Sequence, residues 1–189
     1  MKLKKGDMAI PFRAKDNKGR EVNLESCRGK NVLLSFYRHS ACPLCNLRLH
    51  ELMAKYPDYE KRGLKVIAVF QSPAEHLDRD LQSHKAPFSL VADPEMKLYE
   101  QYGVETSWPV FLKSNMLPSV MKRYYQAMRL GFPPDPTKTD GPFPRVPADF
   151  LIGPDMRIMD VNYGSLISDH ISFDRIDQFL RASELKKAA

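Results

Sequence analysis

At 189 residues, with 43% hydrophobic and 28% charged side chains, the chain has the length and composition of one globular domain with a full core, and no repeat or low-complexity tract interrupts it. The 29 Lys and Arg against 23 Asp and Glu leave a net charge of +6, but the basic residues are scattered, with small clusters only at Lys2, Lys4, Lys5 and at Lys186, Lys187. That pattern describes a solvated surface and excludes a nucleic-acid face with interleaved aromatics. No apolar stretch follows the first lysines and no run reaches membrane length, so the expectation is a cytoplasmic protein with no signal peptide and no membrane or nucleic-acid partner.

Two short extended segments, 9–14 and 20–24, flank Asp16-Asn17-Lys18-Gly19 and predict an N-terminal hairpin. Residues 31–37 form an apolar run of the kind buried on both faces of a sheet. Leu49, Leu52, Met53 and Tyr56 then recur with helical spacing, and Pro43 suits the first helical position, where a missing N–H is harmless. Pro57 predicts a kink or a restart of that helix. After Gly63 a second buried strand, 64–70, completes a βαβ unit with parallel pairing. A polar helix over 73–83 follows, with His76 and His84 expected on its exposed side, then a short strand at 88–92 and a helix from Asp93 to Gly103.

Residues 105–146 break this rhythm and read as an insertion in a single domain spanning 1–189. Leu117, Val120, Met121, Tyr124 and Met128 mark one amphipathic helix, suited to core or dimer packing. Residues 131–147 carry six prolines, Pro147 included, and predict a stiff, extended loop. Trp108-Pro109-Val110-Phe111 suits core packing or the access to a site. The pattern closes with a strand at 148–152, a turn at Gly153-Pro154-Asp155, a strand at 157–163 and a helix starting near Ser172, with Ile176, Phe179 and Leu180 turned inward.

The chemistry concentrates at Cys42-Pro43-Leu44-Cys45, directly behind the first buried strand. A cysteine at a helix N-terminus sits among unpaired backbone N–H groups and the positive end of the helix dipole, which favours the reactive thiolate. Residues three apart on a helix lie on the order of 5–6 Å from one another, within disulfide reach. Two inert buried thiols are one alternative. A zinc site is the other, but one CxxC supplies two ligands of four, and His50 lies two turns away from Cys42 although His39 is near. Cys27, in a polar loop, is a bystander or a distant resolving thiol. Arg38, at the strand end, is placed to lower the Cys42 pKa or to pair with a surface carboxylate.

Several segments together resemble the peroxiredoxin-like family (alkyl hydroperoxide reductase/thiol-specific antioxidant, redoxin) of the thioredoxin-fold superfamily, in a branch with a CxxC active site. They are Gly6-Asp7 to Phe12, Gly19-Arg20-Glu21-Val22-Asn23-Leu24, Arg28-Gly29-Lys30, Ser35-Phe36-Tyr37-Arg38 running into Cys42-Pro43-Leu44-Cys45-Asn46, Asp93-Pro94 to Tyr102-Gly103-Val104, and Pro147-Ala148-Asp149-Phe150-Leu151-Ile152. The resemblance covers nearly the whole chain outside the insertion. It implies an α/β thioredoxin-like fold of peroxiredoxin type: an N-terminal β-hairpin, a central mixed sheet flanked by helices, and a helical, proline-rich insertion. It also implies a cis-proline facing the active cysteines, at Pro147.

The activity implied is that of a thiol-dependent peroxidase, an antioxidant oxidoreductase. Cys42 would attack a hydroperoxide to give a sulfenic acid, and Cys45 would condense with it to a disulfide. A thioredoxin- or glutathione-type reductant would restore both thiols with no cofactor and no metal, and a homodimer is compatible with this. Arg38, His39, Ser40 and Arg145 are candidates for stabilising the thiolate or the substrate. The chain departs from the family at His39, where peroxiredoxins carry Thr or Ser, and Ser35 stands near the position of the buried Asp of thioredoxins. Two alternatives follow: a thioredoxin-like thiol-disulfide oxidoreductase with slow peroxidase activity, and a non-catalytic thiol redox sensor.

Overall fold

The computed structural model describes residues 1–81, 85–135 and 137–188, with side chains as far as Leu185. His84 and Ser83 of the polar helix lie outside the described residues. A five-stranded sheet runs in the order β5-β4-β3-β6-β7, and a separate hairpin pairs β1 with β2. The strands are β1 (Arg13–Lys15), β2 (Glu21–Asn23), β3 (Asn31–Phe36), β4 (Leu64–Phe70), β5 (Ser89–Ala92), β6 (Ala148–Ile152) and β7 (Ile158–Tyr163). β3, β4 and β5 are parallel, whereas β6 pairs antiparallel with both β3 and β7. This is the thioredoxin-like mixed sheet that the motif order implies.

Six helices complete the chain: α1 (Pro43–Lys61), α2 (Ala74–Leu81), α3 (Lys97–Gln101), α4 (Trp108–Asn115), α5 (Pro118–Arg129) and α6 (Phe173–Ala188). Among the described residues no helix is long and apolar enough to cross a membrane.

Strand alternation divides β3 between two cores. Val32, Leu34 and Phe36 face a core built with Tyr99, Tyr102, Phe150 and the N-terminal segment. Leu33 and Tyr37 face the other, with Leu49, Leu52 and Tyr56 of α1 and Ile176 and Leu180 of α6. Each large apolar side chain buried this way contributes about 1.5–3 kcal/mol, so the strand that carries the cysteine loop is gripped from both sides. Ser35 faces the α1 side between Leu33 and Tyr37, where its hydroxyl donates to Asp149 on neighbouring β6 at 2.5 Å. Asp149, fully buried, also accepts from the Ile171 backbone N–H at 2.8 Å and lies 3.0 Å from His170 Nδ1.

Two sequence expectations are revised, and a third, the kink or restart at Pro57, loses its second alternative. α1 passes through Pro57 without restarting. Pro57 is exposed while Leu52, Tyr56 and Tyr59 stay buried, so the carbonyl that lost its donor can be hydrated while the apolar face keeps the helix on the sheet. The insertion carries two helices instead of one. The Ser107 side chain caps α4, accepting from the Val110 N–H at 3.3 Å, and Pro109 falls in the first turn, where proline is tolerated. The other revision concerns Pro147: the described residues contain no cis peptide bond, so the Val146–Pro147 bond is trans. The chain approaches β6 extended, with Arg145 bridged to Thr106 and the Val146 N–H donating to Glu105 at 3.3 Å, and a trans bond continues that line directly into the strand.

Candidate active site

The parallel strands deliver the site at their C-terminal ends, the customary position in open α/β sheets. Beyond β3 the chain stays tied to β4, with the Tyr37 N–H donating to Val69 O at 2.8 Å and the Gln71 N–H to Arg38 O at 3.2 Å. It then turns so that Cys42, in extended backbone conformation, becomes the N-cap of α1 with Pro43 just inside. Asn46 fastens the turn, donating from Nδ2 to Ser40 O at 2.6 Å and to Cys42 O at 3.0 Å.

Both thiols are free and almost completely buried, Cys42 at 1% and Cys45 at 2% exposure. Arg38 addresses the two sulfurs at once: its Nη1 lies 3.6 Å from Cys42 Sγ and its backbone N–H donates to Cys45 Sγ at 3.4 Å. Burial pushes the Cys42 thiol up. Hydrogen bonding from the Cys45 thiol, the charges of Arg38 and His39 and the Cys45 N–H outweigh it, so Cys42 is held well below the ordinary thiol range. Burial and the donation of its proton to Cys42 drive Cys45 well above that range. Because burial also lowers His39, the standing positive charge at neutral pH is that of Arg38. The pair is therefore polarised into a thiolate and a proton-bearing neighbour.

The guanidinium is held by the insertion. Its Nη2 donates to Phe143 O at 2.8 Å, and its carbon lies 5.5 Å from the Phe111 ring centre and 5.4 Å from that of Phe143. Of the other candidates, His39 is beside the thiolate, buried, with its Nδ1 making no hydrogen bond among the described residues. The Ser40 hydroxyl is turned away and donates to Asp80 at 2.6 Å. Arg145 braces the base of the insertion instead of the sulfurs: it donates to Gln71 Oε1 at 3.1 Å and Val104 O at 2.7 Å and lies over the Tyr99 ring. Pro147 is buried and lines a small cavity with Ser107, Val110 and Gly164.

Cys27, half-buried, packs against the opposite core from the CxxC pair. His76 is half-buried, not exposed, with Nδ1 at 2.8 Å from Asp140. Among the described residues no three His, Cys, Asp or Glu side chains gather as a metal would require. Phe143 and Asp149 escaped functional notice in the sequence, whereas Phe111 belongs to the 108–111 cluster read as core packing or the access to a site.

The model of the AhpC/TSA family matches residues 5–161. The chain belongs to this family. Among curated AhpC/TSA relatives, peroxiredoxin Bcp of Escherichia coli is 31% identical over 102 residues, which is 54% of this chain and 65% of that protein. The chloroplastic peroxiredoxin Q of Sedum lineare is 30% identical over 103 residues, 54% of this chain and 55% of its own length. The chain thus spans between about half and just under two thirds of the length of the curated relatives it matches. Among solved structures, peroxidoxin BcpB of Mycobacterium tuberculosis aligns with a TM-score of 0.66 over 97% of both chains at 16% identity. Thiol peroxidase of Chromobacterium violaceum aligns with a TM-score of 0.66 over 97% of this chain and 90% of its own at 18% identity. At these identities the likeness establishes the AhpC/TSA member's thioredoxin-like fold.

Proposed function

We propose that the protein is a thiol-dependent peroxidase that reduces hydroperoxides through Cys42 and Cys45. The observation that carries this reading is the polarised pair: a sulfur held as thiolate by Arg38 beside a second sulfur that keeps its proton. The thiolate attacks one oxygen of the O–O bond. That oxygen stays on sulfur as a sulfenic acid, while the other leaves as alkoxide or hydroxide and takes up a proton. The Cys45 sulfur then displaces hydroxide from the sulfenic sulfur, giving the disulfide and water. Arg38 meets the charge that develops on the leaving oxygen, and its Nε, buried and without a hydrogen bond among the described residues, faces the same task.

A thioredoxin- or glutathione-type dithiol or thiol returns the disulfide to the starting state, and the redox centre needs no cofactor or metal. The names of the curated relatives, peroxiredoxin Bcp and peroxiredoxin Q, support the same class. A reducing cytoplasm suits a pair that works from the dithiol form. The chain is proposed to act as one domain, with the exposed row Met121, Tyr125 and Met128 of α5 offering the packing face for a homodimer.

The test is stopped-flow mixing of the reduced protein with hydrogen peroxide, following Trp108 fluorescence, with a Cys42→Ser control. Rapid oxidation that disappears in the control and leaves a product two hydrogens lighter is the expected result. Oxidation no faster than an ordinary free thiol overturns it in favour of the second reading, disulfide exchange. That alternative is favoured by the CxxC at the start of α1 and by the strongly raised Cys45.

A further inference from the structure

Eight of the eleven large apolar side chains left exposed among the described residues lie between Trp108 and Phe143. One row of them is on α4. Ser114 turns that helix inward, its hydroxyl accepting from the Ile167 N–H at 3.1 Å, and Phe111 turns to Arg38. Trp108, Leu112 and Met116, four residues apart, are left on the outer face at 58%, 59% and 82% exposure. The row runs into the site through ring contacts. Trp108 meets Phe111 edge-on at 5.9 Å and Phe111 meets Phe143 at 4.8 Å. Phe111 and Phe143 both lie against the Arg38 guanidinium that reaches Cys42. Charge on these helices has one sign: between Trp108 and Leu130 there are four Lys or Arg and no Asp or Glu. Arg123 is paired with Glu51, whereas Lys113, Lys122 and Arg129 are exposed and join no ion pair among the described residues.

We infer that the outer face of α4, with Trp108, Leu112, Met116 and Lys113, is the docking surface of the reductant, and that this reductant is a protein dithiol carrying acidic residues around an apolar contact, not a glutathione-type thiol. The inference rests on the reading of Cys42 and Cys45 as a pair that cycles through a disulfide. Clustered exposed apolar side chains mark a surface that meets a macromolecule, and a tripeptide thiol covers too little area to need three of this size. The unpaired cations select a partner of opposite charge and speed its encounter. A second copy held permanently there would close off the ring cluster at Arg38, so the face suits a partner that comes and goes. Once seated, the partner's thiolate attacks one sulfur of the Cys42–Cys45 disulfide and releases the other as a thiolate. The partner's second thiolate then displaces the sulfur held in the mixed disulfide. The partner leaves as a disulfide, and the pair regains two electrons and two protons.

The test is reduction of the disulfide form, prepared with diamide so that no peroxide is needed, by a thioredoxin of net negative charge and by dithiothreitol. For the parent protein the thioredoxin rate should fall as salt is raised through about 0.15 M. Lys113→Glu/Lys122→Glu should lower it about tenfold at low salt, and Leu112→Ser about fivefold at any salt. Dithiothreitol should reduce all three proteins at the same rate, which shows that the site is intact. Equal thioredoxin rates in parent and variants overturn the inference, and so does a parent protein that glutathione reduces as fast as thioredoxin does. Losses that dithiothreitol shares assign these residues to the fold and overturn it as well. Trp108, the only tryptophan, reports the rival occupants. A blue shift of its emission on phosphatidylserine vesicles, abolished by Lys113→Glu/Lys122→Glu, assigns the face to a membrane instead. A blue shift that grows with protein concentration assigns it to a second copy. If thioredoxin reduction behaves as expected while peroxide oxidises the parent protein slowly, the peroxidase reading fails and the docking surface stands.

Discussion

The sheet with α1 and the 105–146 insertion both contribute to one sulfur, but they are held together by different means. The frame is gripped by apolar burial on two faces, with a buried polar joint at Ser35, Asp149 and His170. The insertion keeps large apolar side chains outside, Trp108, Leu112, Met116 and Met121 among them. It is tied down by point contacts: Arg123 to Glu51, Gln71 to the loop, and the aromatic clasp on Arg38. The difference shows how one site divides its requirements. The cysteines are placed by the rigid part, and the charge that activates them is aimed by the part with less buried surface and lower local stability.

The frame gives the largest expected effect. Asp149→Asn removes a fully buried carboxylate from three partners and is expected to cost about 2–4 kcal/mol in urea unfolding. Burial raises the Asp149 pKa, but His170, Arg48 and Ser35 more than offset it, so the folded-state value lies below the ordinary one. Its contribution is therefore present above the unfolded carboxylate pKa of about 4 and is lost as pH falls through the depressed folded value. The parent protein should lose stability with acid more steeply than Asp149→Asn does; parallel acid curves would show that the carboxylate is not what joins β3, β6 and the segment before α6.

At the joint between the two regions, Arg38→Ala should slow Cys42 oxidation about ten- to a hundredfold by removing a charge-assisted contact. It should also move the Cys42 alkylation midpoint upward, while the far-UV spectrum stays native. Should the midpoint not move, the clasp would have no electrostatic purpose.

The smallest effect is expected in the insertion. Glu51→Gln breaks a partly exposed ion pair worth less than about 1 kcal/mol. Hydrogen exchange should quicken in α5 and leave β3 and β4 unchanged. Equal acceleration in both would erase the distinction drawn between the regions.

What the sequence revealed follows the same division. β3, β4 and β6 are continuous apolar runs because both faces are covered, and such runs need no tertiary information to be recognised. The CxxC was legible because strand, cysteine and helix start are adjacent in the chain. Asp149 was visible only as one residue of a strand block. Its value comes from Ser35, 114 positions away, and from the segment at His170. α4 was missed because Pro109 reads as a breaker until Ser107 is seen to cap the turn. Arg145 was a candidate because it lies two residues before Pro147, yet its side chain turns to Gln71 and Val104. Contacts made between distant segments leave no periodic trace.

The near-zero exposure of the two sulfurs has a consequence for timing. On the proposed cycle, a reagent as large as a protein dithiol could not reach a cysteine that shows 1% of its surface, so each return of electrons would need the packing around Cys42 to part. With ample reductant, such a cycle would run at the frequency of that opening, and the contacts at Glu51 and Gln71 would set its pace. A small oxidant and a bulky reductant would thus be served by different moments of the same molecule.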